Sequence, residues 1–444
     1  MTSHPSRVSD SSAASPAENP ADSPVENPVE NPVEQVPSPA RAEAAKRAVA
    51  VVFGVNGLLF ASWVSRLPAV RDLLHLTPGG LGLLLLCIAA GAVSALLASG
   101  VIVHRLGPAR AVLLPAVLMS SSLAVAALTP PIPVLAVALV FVGCGTSVWD
   151  VAMNVEGARV EQLLGRAIMP RFHAGFSLGT VAGAGLGAAA AALGVPVAWH
   201  LPLVAVLGLA VVAGAVRRFV STPPGTSHHE DGSRRSSGVL RAWREPRTVL
   251  IGLLVLGMAF AEGSANDWLA VGLVDGYHVE HAVAALGFGA FVVAMTAARM
   301  AGPELLARYG RVVAVRWGAV LVALGVAGVV GGAQLVPSAG RGLALVLGIA
   351  GALAWGAGAA LGFPVGMSAA ADDPARAAAR VSVVSSIGYV AFLAGPPALG
   401  LLGDTFGVVR ALLAVGVAVL LSLAVAGSLR PTPVPTADPS TADR

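Results

Sequence analysis

The sequence predicts an all-α, polytopic membrane protein of twelve transmembrane helices in two pseudosymmetric six-helix bundles. Three observations carry that expectation. Of 444 residues, 56% are hydrophobic and only 12% charged, with 52 glycines, which excludes a water-soluble globule. The apolar residues gather in runs of about 20, the length that crosses a bilayer as a helix. The cationic residues fall between those runs instead of on one polar face, so a net charge of +4 does not indicate a nucleic-acid surface.

Residues 1–46 are rich in Pro, Ser, Glu and Ala and repeat Asn-Pro-Val-Glu at 27–30 and 31–34. Such a stretch has too little apolar surface to offset its ordering entropy, so a disordered cytoplasmic tail is expected. No leader-type cleavage pattern opens the chain, and the first apolar run is expected to be a span. Runs then place spans at 47–65, 80–103, 111–128, 132–154, 172–193 and 198–217, forming an N-terminal bundle over 47–217. After a cytoplasmic linker at 218–247 with Arg217 at its edge, spans follow at 248–273, 283–303, 312–334, 342–366, 380–402 and 409–429, a C-terminal bundle over 248–429. The tail 430–444, with four prolines, is expected to be unstructured and cytoplasmic.

Orientation follows from the cations. With the N-terminus inside, 23 of the 28 Lys and Arg residues lie on the cytoplasmic side. Only Arg66, Arg71, Arg341 and Arg410 lie outside, and Arg299 is intramembrane. The positive-inside rule therefore places both termini in the cytoplasm of a multi-pass cell-membrane protein. Cys87 and Cys144 both sit inside apolar runs and read as small buried hydrophobes.

Two echoes suggest duplication. The loop after span two, Gly100 through His104, Arg105, Leu106, Gly107 and Arg110, matches Arg308, Tyr309, Gly310 and Arg311 after span eight. Arg171 with Ser177-Leu178-Gly179 matches Arg380 with Ser386-Ile387-Gly388 in spans five and eleven. These residues resemble the major facilitator superfamily, whose corresponding loop reads G-x-x-x-[DE]-[RK]-x-G-x-[RK]-[RK]. Gly100, Arg105, Gly107 and Arg110 fit it, while His104 stands where an acid is usual and one of the final basic pair is missing. Asn56 to Trp63 continuing through Arg66 to Arg71, the Asp150-Val-Ala-Met-Asn154 segment, and Glu262 with Asp267-Trp268 resemble the MosC-like subgroup. The resemblance implies a transporter with gating loops at Gly100, Arg105, Gly107, Arg110, Arg308, Gly310 and Arg311.

Ionisable groups in hydrocarbon are costly and mark pathways or buried pairs. Glu262 and Asn266 are four apart on one helical face of span seven, and α-helical spacing turns Asp267 away from Glu262. Glu262 lies about 14 residues into its span, roughly 21 Å at the helical rise, on the outer side of the midplane. It is expected to carry the coupling proton, with Asn266 binding substrate; a structural acid is the alternative. Asp150 and Asn154 share a stripe on span four, where Asn154 is expected to bind substrate, and His173 heads span five, so Asp150 and His173 are expected to meet near the inner interface. Either they form a second protonation site, or Asp150 accepts from Arg105 or Arg110 as a latch that closes the inner mouth in the outward-facing state. Arg299 either faces an anionic substrate group or snorkels and pairs between helices. Asn56 and Trp63 share a face suited to a cyclic ligand or to packing.

Gly179, Gly183 and Gly187, like Gly358, Gly362 and Gly366, make smooth helix faces for sliding or for close packing. His228-His229-Glu230-Asp231 and His278-Val279-Glu280-His281 fall in loops and read as solvated surface, so no metal is expected. No catalytic signature and no cofactor or nucleotide loop is present. The expected function is proton-coupled secondary transport of a sugar-like, polyol-like or amphipathic solute by a monomer in the bilayer, not catalysis and not nucleic-acid binding. A transporter-like receptor or assembly protein is the rival reading.

Overall fold

The computed structural model describes residues 38–166, 168–220, 240–373 and 376–430; the expected tails over 1–37 and 431–444 and most of the linker, 221–239, with one of the His-rich segments, lie outside the described residues. Among the described residues ten helices are long and apolar enough to cross a membrane. Span 1 is Pro39–Val64, span 4 Ile132–Leu164, span 5 Met169–Ala192, span 6 Val197–Arg218 and span 7 Pro246–Tyr277. Span 10 is Arg341–Ala370, span 11 Ala377–Phe406 and span 12 Val408–Leu429. The remaining two, Pro78–Ala127 and His281–Ala339, are 50 and 59 residues long. Each breaks once, at Gly107 and at Gly310, which divides them into spans 2 and 3 and spans 8 and 9 and brings the crossings to twelve.

The two breaks share one backbone state. Gly107 has φ 73° and ψ 159°, and Gly310 has φ 75° and ψ 163°. L side chains rarely adopt that region, so glycine is required at both. The equivalence of the two loops is thus written in dihedral angles as well as in sequence. Gly100, by contrast, has open space where a Cβ would stand, so nothing in its packing demands glycine.

Helix starts follow local signals. Proline occupies the first positions of spans 1, 2, 4, 5 and 7, where its missing N–H is no loss. Ser38 accepts from Arg41 N at 3.4 Å and Thr77 accepts from Gly80 N at 3.1 Å. One expectation is corrected here: residues 39–46, assigned to a disordered tail, are the first two turns of span 1. Ser38-Pro39 followed by alanines at 40, 42, 44 and 45 is a start signal that the polar composition upstream masks. The spans also run longer than the apolar runs, span 4 ending at Leu164 and not near 154.

Within the N-terminal half, span 5 lies directly on span 1. A Cβ on Gly179 would strike the carbonyl oxygen of Gly54, and one on Gly183 that of Leu58. In the C-terminal half, Gly325 of span 9 meets Gly351 of span 10 in the same way, 2.6 Å from its oxygen. The small-residue strings therefore bring backbones together inside each half. Trp149, Trp268, Trp355, Phe172, Phe288 and Phe291 fill the interiors and are fully buried.

The halves touch along spans 2 and 11 on the face opposite the chain ends, called here the far face. A Cβ on Gly82 would sit 2.5 Å from the Pro396 oxygen, and one on Gly400 would sit 2.6 Å from that of Pro78. Replacing Gly310 by Ala is expected to cost about 1–3 kcal/mol through backbone strain, whereas Gly100→Ala should be neutral. Thermal unfolding of the two detergent-solubilised variants checks the contrast.

Candidate functional site

A cavity of about 350 Å³ lies between the halves, lined by spans 1 to 4 on one side and spans 7 and 11 on the other. Its walls are apolar and aromatic, with Phe60 and Trp63 from span 1 and Tyr389 and Phe392 from span 11. The polar lining is small: Thr146, Ser147 and Asp150 from span 4, and Asn266 and Asp267 from span 7. Thr146 Oγ1 is spent on the Val142 carbonyl at 2.8 Å, the usual back-bond of a helical threonine. None of the lining residues is Arg, Lys or His.

Asp150 is reached through span 4's full length. Because the helix continues ten residues beyond the apolar run, Asp150 sits near its middle and faces the cavity instead of the terminal-face interface. Asn154 Nδ2 donates to the Asp150 carbonyl at 2.8 Å and to its Oδ1 at 3.4 Å, so Asn154 orients the acid and is not itself part of the lining. Asp150 forms no ion pair with Arg105 or Arg110, which are exposed, nor with His173. The expected latch and the expected Asp–His pair are both absent from this conformation. His173 instead packs edge-on to Phe53, with ring centroids 5.2 Å apart, within electrostatic reach of Arg299.

Span 7 carries the feature that sequence spacing missed. Ala265–Leu269 is a π turn, one residue wider than an α turn, and Gly263, Asn266 and Asp267 all line the cavity. Asp267 points away from Glu262, as its spacing requires, and it is Glu262 that leaves the chamber, so the expected site face shared by Glu262 and Asn266 is replaced by Gly263, Asn266 and Asp267, spaced three and four residues apart. Trp355 of span 10 buttresses the turn, its indole Nε1 donating to the Ala261 carbonyl at 3.1 Å while the ring packs on Phe291.

Glu262 does not line the cavity. Arg299 Nη2 of span 8 donates to both of its carboxylate oxygens at 2.8 Å, and Arg299 Nε reaches the Ala360 oxygen at 3.3 Å. The pair corrects both depths read from the sequence. Spans 7 and 8 extend past their apolar runs, so an acid placed toward the outside and an arginine placed toward the inside meet near mid-helix. Asn56 is 2% exposed, lies away from the cavity, and leaves Nδ2 without a partner among the described residues.

Polar ties between the halves lie on the far face. Arg71, on the short helix Leu67–Leu73, holds Asp275 of span 7 at 2.7 Å. Its neighbour Asp72 accepts from Arg71 Nε at 2.9 Å and lies 2.9 Å from His281 Nε2 of span 8. Gly79 N donates to Asp404 Oδ1 at 3.0 Å. Burial pushes the Asp72 carboxyl up, but hydrogen bonds and charge from Arg71 and His281 outweigh it and hold it below the usual range. On the opposite face, Arg166 pairs within the N-terminal half and Arg247, Arg311, Arg376 and Arg380 pair within the C-terminal half. Asp372 binds Arg247 at 2.9 Å and Arg311 at 2.6 Å, and Glu245 binds Arg380 at 2.6 Å. Burial raises Glu245, and the bonds from Arg380 and Thr248 more than reverse it. Arg308 stacks on Tyr309, 5.3 Å from the ring.

Among the described residues, twelve spanning helices in two halves flank an inter-half cavity whose far face is bridged by ion pairs, and these define the class: a polytopic membrane transporter. Residues 48–357 match the profile of the Major Facilitator Superfamily, and the chain belongs to that family. An uncharacterized transporter of Sinorhizobium fredii, y4wD, is 33% identical over 81% of this chain and 91% of its own length. An uncharacterized MFS-type transporter of Yersinia pestis is 30% identical over 86% and 94%, and the membrane protein MosC of Rhizobium meliloti is 28% identical over 84% and 88%. Among solved structures a single-residue mutant of the nucleoside transporter NupG superposes with a TM-score of 0.72 at 14% identity, covering 87% of this chain and all of that one. At that identity the likeness shows the fold alone. Family and relatives together make this a transporter and not an enzyme.

Arg299→Ala strands the Glu262 charge and is expected to destabilise the protein by about 2 kcal/mol, discounted for partial exposure. The double variant with Glu262→Ala should cost less than the two single changes added together. A thermal-denaturation mutant cycle measures the coupling.

Proposed function

We propose that the protein is a proton-coupled secondary transporter of a small solute, working as a monomer in the cell membrane by alternating access, with both termini cytoplasmic. The observation that carries this reading is the cavity between the halves, with ion pairs across its far face. Cation placement supports the orientation, with the terminal face inside. The far-face cluster of Arg71, Asp72, Asp275 and His281 is then the outer gate in its closed state, and the conformation is inward-facing. Rocking of the halves would break that gate and bring the terminal faces together, where Arg105, Arg110, Arg308 and Arg311 stand as gating residues about the Gly107 and Gly310 breaks, with Gly100 on the same loop.

The proton step rests on pairs that exist only in one ionisation state. Protonation of Glu262 releases Arg299 and frees spans 7 and 8 to shift against each other; Asp150 takes a proton from the cavity, and His173, near Arg299, relays it toward the cytoplasmic face. Trp63 and Asn266 supply a ring and an amide to the solute, while Asn154 positions Asp150. Arg299 acts through Glu262 in this scheme and does not touch the solute.

Arg71→Ala is expected to raise the outward-open population about tenfold, the equivalent of about 1.4 kcal/mol, read as a longer spin-label distance between the loop helix Leu67–Leu73 and the start of span 12. The Asp72 carboxyl is depressed in the closed gate, so its contribution is complete above the ordinary aspartate range and lost as pH falls through the depressed value. Asp72→Asn at neutral pH should reproduce the acid behaviour; unchanged distances in both variants remove the cluster from gating.

In proteoliposomes screened with sugars, polyols and amphiphiles, a transported solute should drive proton flux that Glu262→Gln lowers at least tenfold. Flux retained in that variant takes the coupling role from Glu262. Absence of flux with every compound, organic amines included, points to a transporter-like receptor.

A further inference from the structure

We propose that the cavity selects an organic monocation, a small amine on an aromatic or cyclic apolar body, held between the carboxylates of Asp150 and Asp267. The inference rests on the transporter reading above and names its solute class. The two acids come from opposite halves, span 4 and span 7, and face the same chamber. Other acids within the bundle lie off the chamber: Glu262 is paired with Arg299, Asp404 accepts from the Gly79 N–H, and Glu156 accepts from the Val220 N–H at 2.7 Å through one oxygen while its other oxygen is buried without a partner among the described residues. Asp267 has no hydrogen bond or ion pair among the described residues, and Asp150 has only the Asn154 amide at 3.4 Å. No cationic side chain lines the chamber, and Arg299 is committed elsewhere.

A carboxylate facing an apolar chamber is costly until a cation or a proton answers it. A solute ammonium can do so while its body lies against Phe60, Trp63, Tyr389 and Phe392, where aromatic faces add cation–π attraction. Trp63 lines the cavity as well, and its indole N–H, which has no partner among the described residues, is a donor left for the body of the solute. The volume, about 350 Å³, lies at the small end of drug-sized sites. An anion would meet two like charges, and a neutral polyol would leave both charges unanswered. Because the acids belong to different halves, a cation bridging them ties solute occupancy to the closure of the halves around it, and its departure returns the carboxylates to protons. Exchange of amine for proton follows.

Tryptamine, tryptophol and indole-3-acetate share one ring system and differ in charge, so they isolate this point. Calorimetric titration of the detergent-solubilised full chain should show saturable tryptamine binding at least tenfold tighter than tryptophol, and no binding of indole-3-acetate. Asp150→Asn and Asp267→Asn should each weaken tryptamine at least tenfold and leave tryptophol unchanged, a pattern that misfolding does not produce. The proposal is overturned if tryptamine fails to saturate, if tryptophol or the acid binds as tightly, or if either variant keeps the preference for charge. Liposome flux driven by neutral polyols alone would also overturn it while leaving the transporter reading intact; no flux with any solute would remove that reading without altering the binding result.

Discussion

The structure depends on one constraint: inside a hydrocarbon layer every charged side chain must be answered by a partner or open onto a cavity. The described acids sort themselves by that rule. Glu262 is answered on its own half by Arg299, Glu245 and Asp372 by arginines at the terminal face, and Asp275 and Asp72 across the halves at the far face. Asp150 and Asp267 alone face the central chamber, and that difference separates groups that hold the fold from groups available for chemistry.

A second constraint comes from packing. Lipid supplies no hydrophobic drive between helices, so close approach of backbones through small residues must hold them. The contacts of Gly179 and Gly183 on span 1 and of Gly325 on span 10 make each half a firm body. Gly82 and Gly400 carry the same kind of contact across the halves on the far face. Small residues and a few ion pairs make up this part of the joint. The two glycine breaks, at equivalent places with nearly identical dihedral angles, show that the halves share a plan below the level of sequence identity.

The site was only partly legible in the sequence. Trp63, Asp150 and Asn266 stood out as polar or amphipathic residues in apolar runs, and all three line the chamber. Asn56 stood out for the same reason and lies buried away from it, because composition along one helix cannot say which neighbour covers which face. Glu262 and Arg299 were each visible, yet their pairing was not, since depth was counted from the edges of apolar runs while the helices continue beyond them. Asp267 was visible too, but the expected site was centred on Glu262, from which it points away.

By itself the sequence determined the class of fold, the number of crossings, the division into equivalent halves and the inventory of costly charges, because hydropathy and run length are local quantities that a bilayer reads directly. The tertiary structure alone decided which acids are paired and which face the cavity, which face of the bundle is tied, and where the register of span 7 shifts. Those are questions of which helix stands beside which, and contacts between residues as distant as Arg71 and Asp275 leave no trace in local composition.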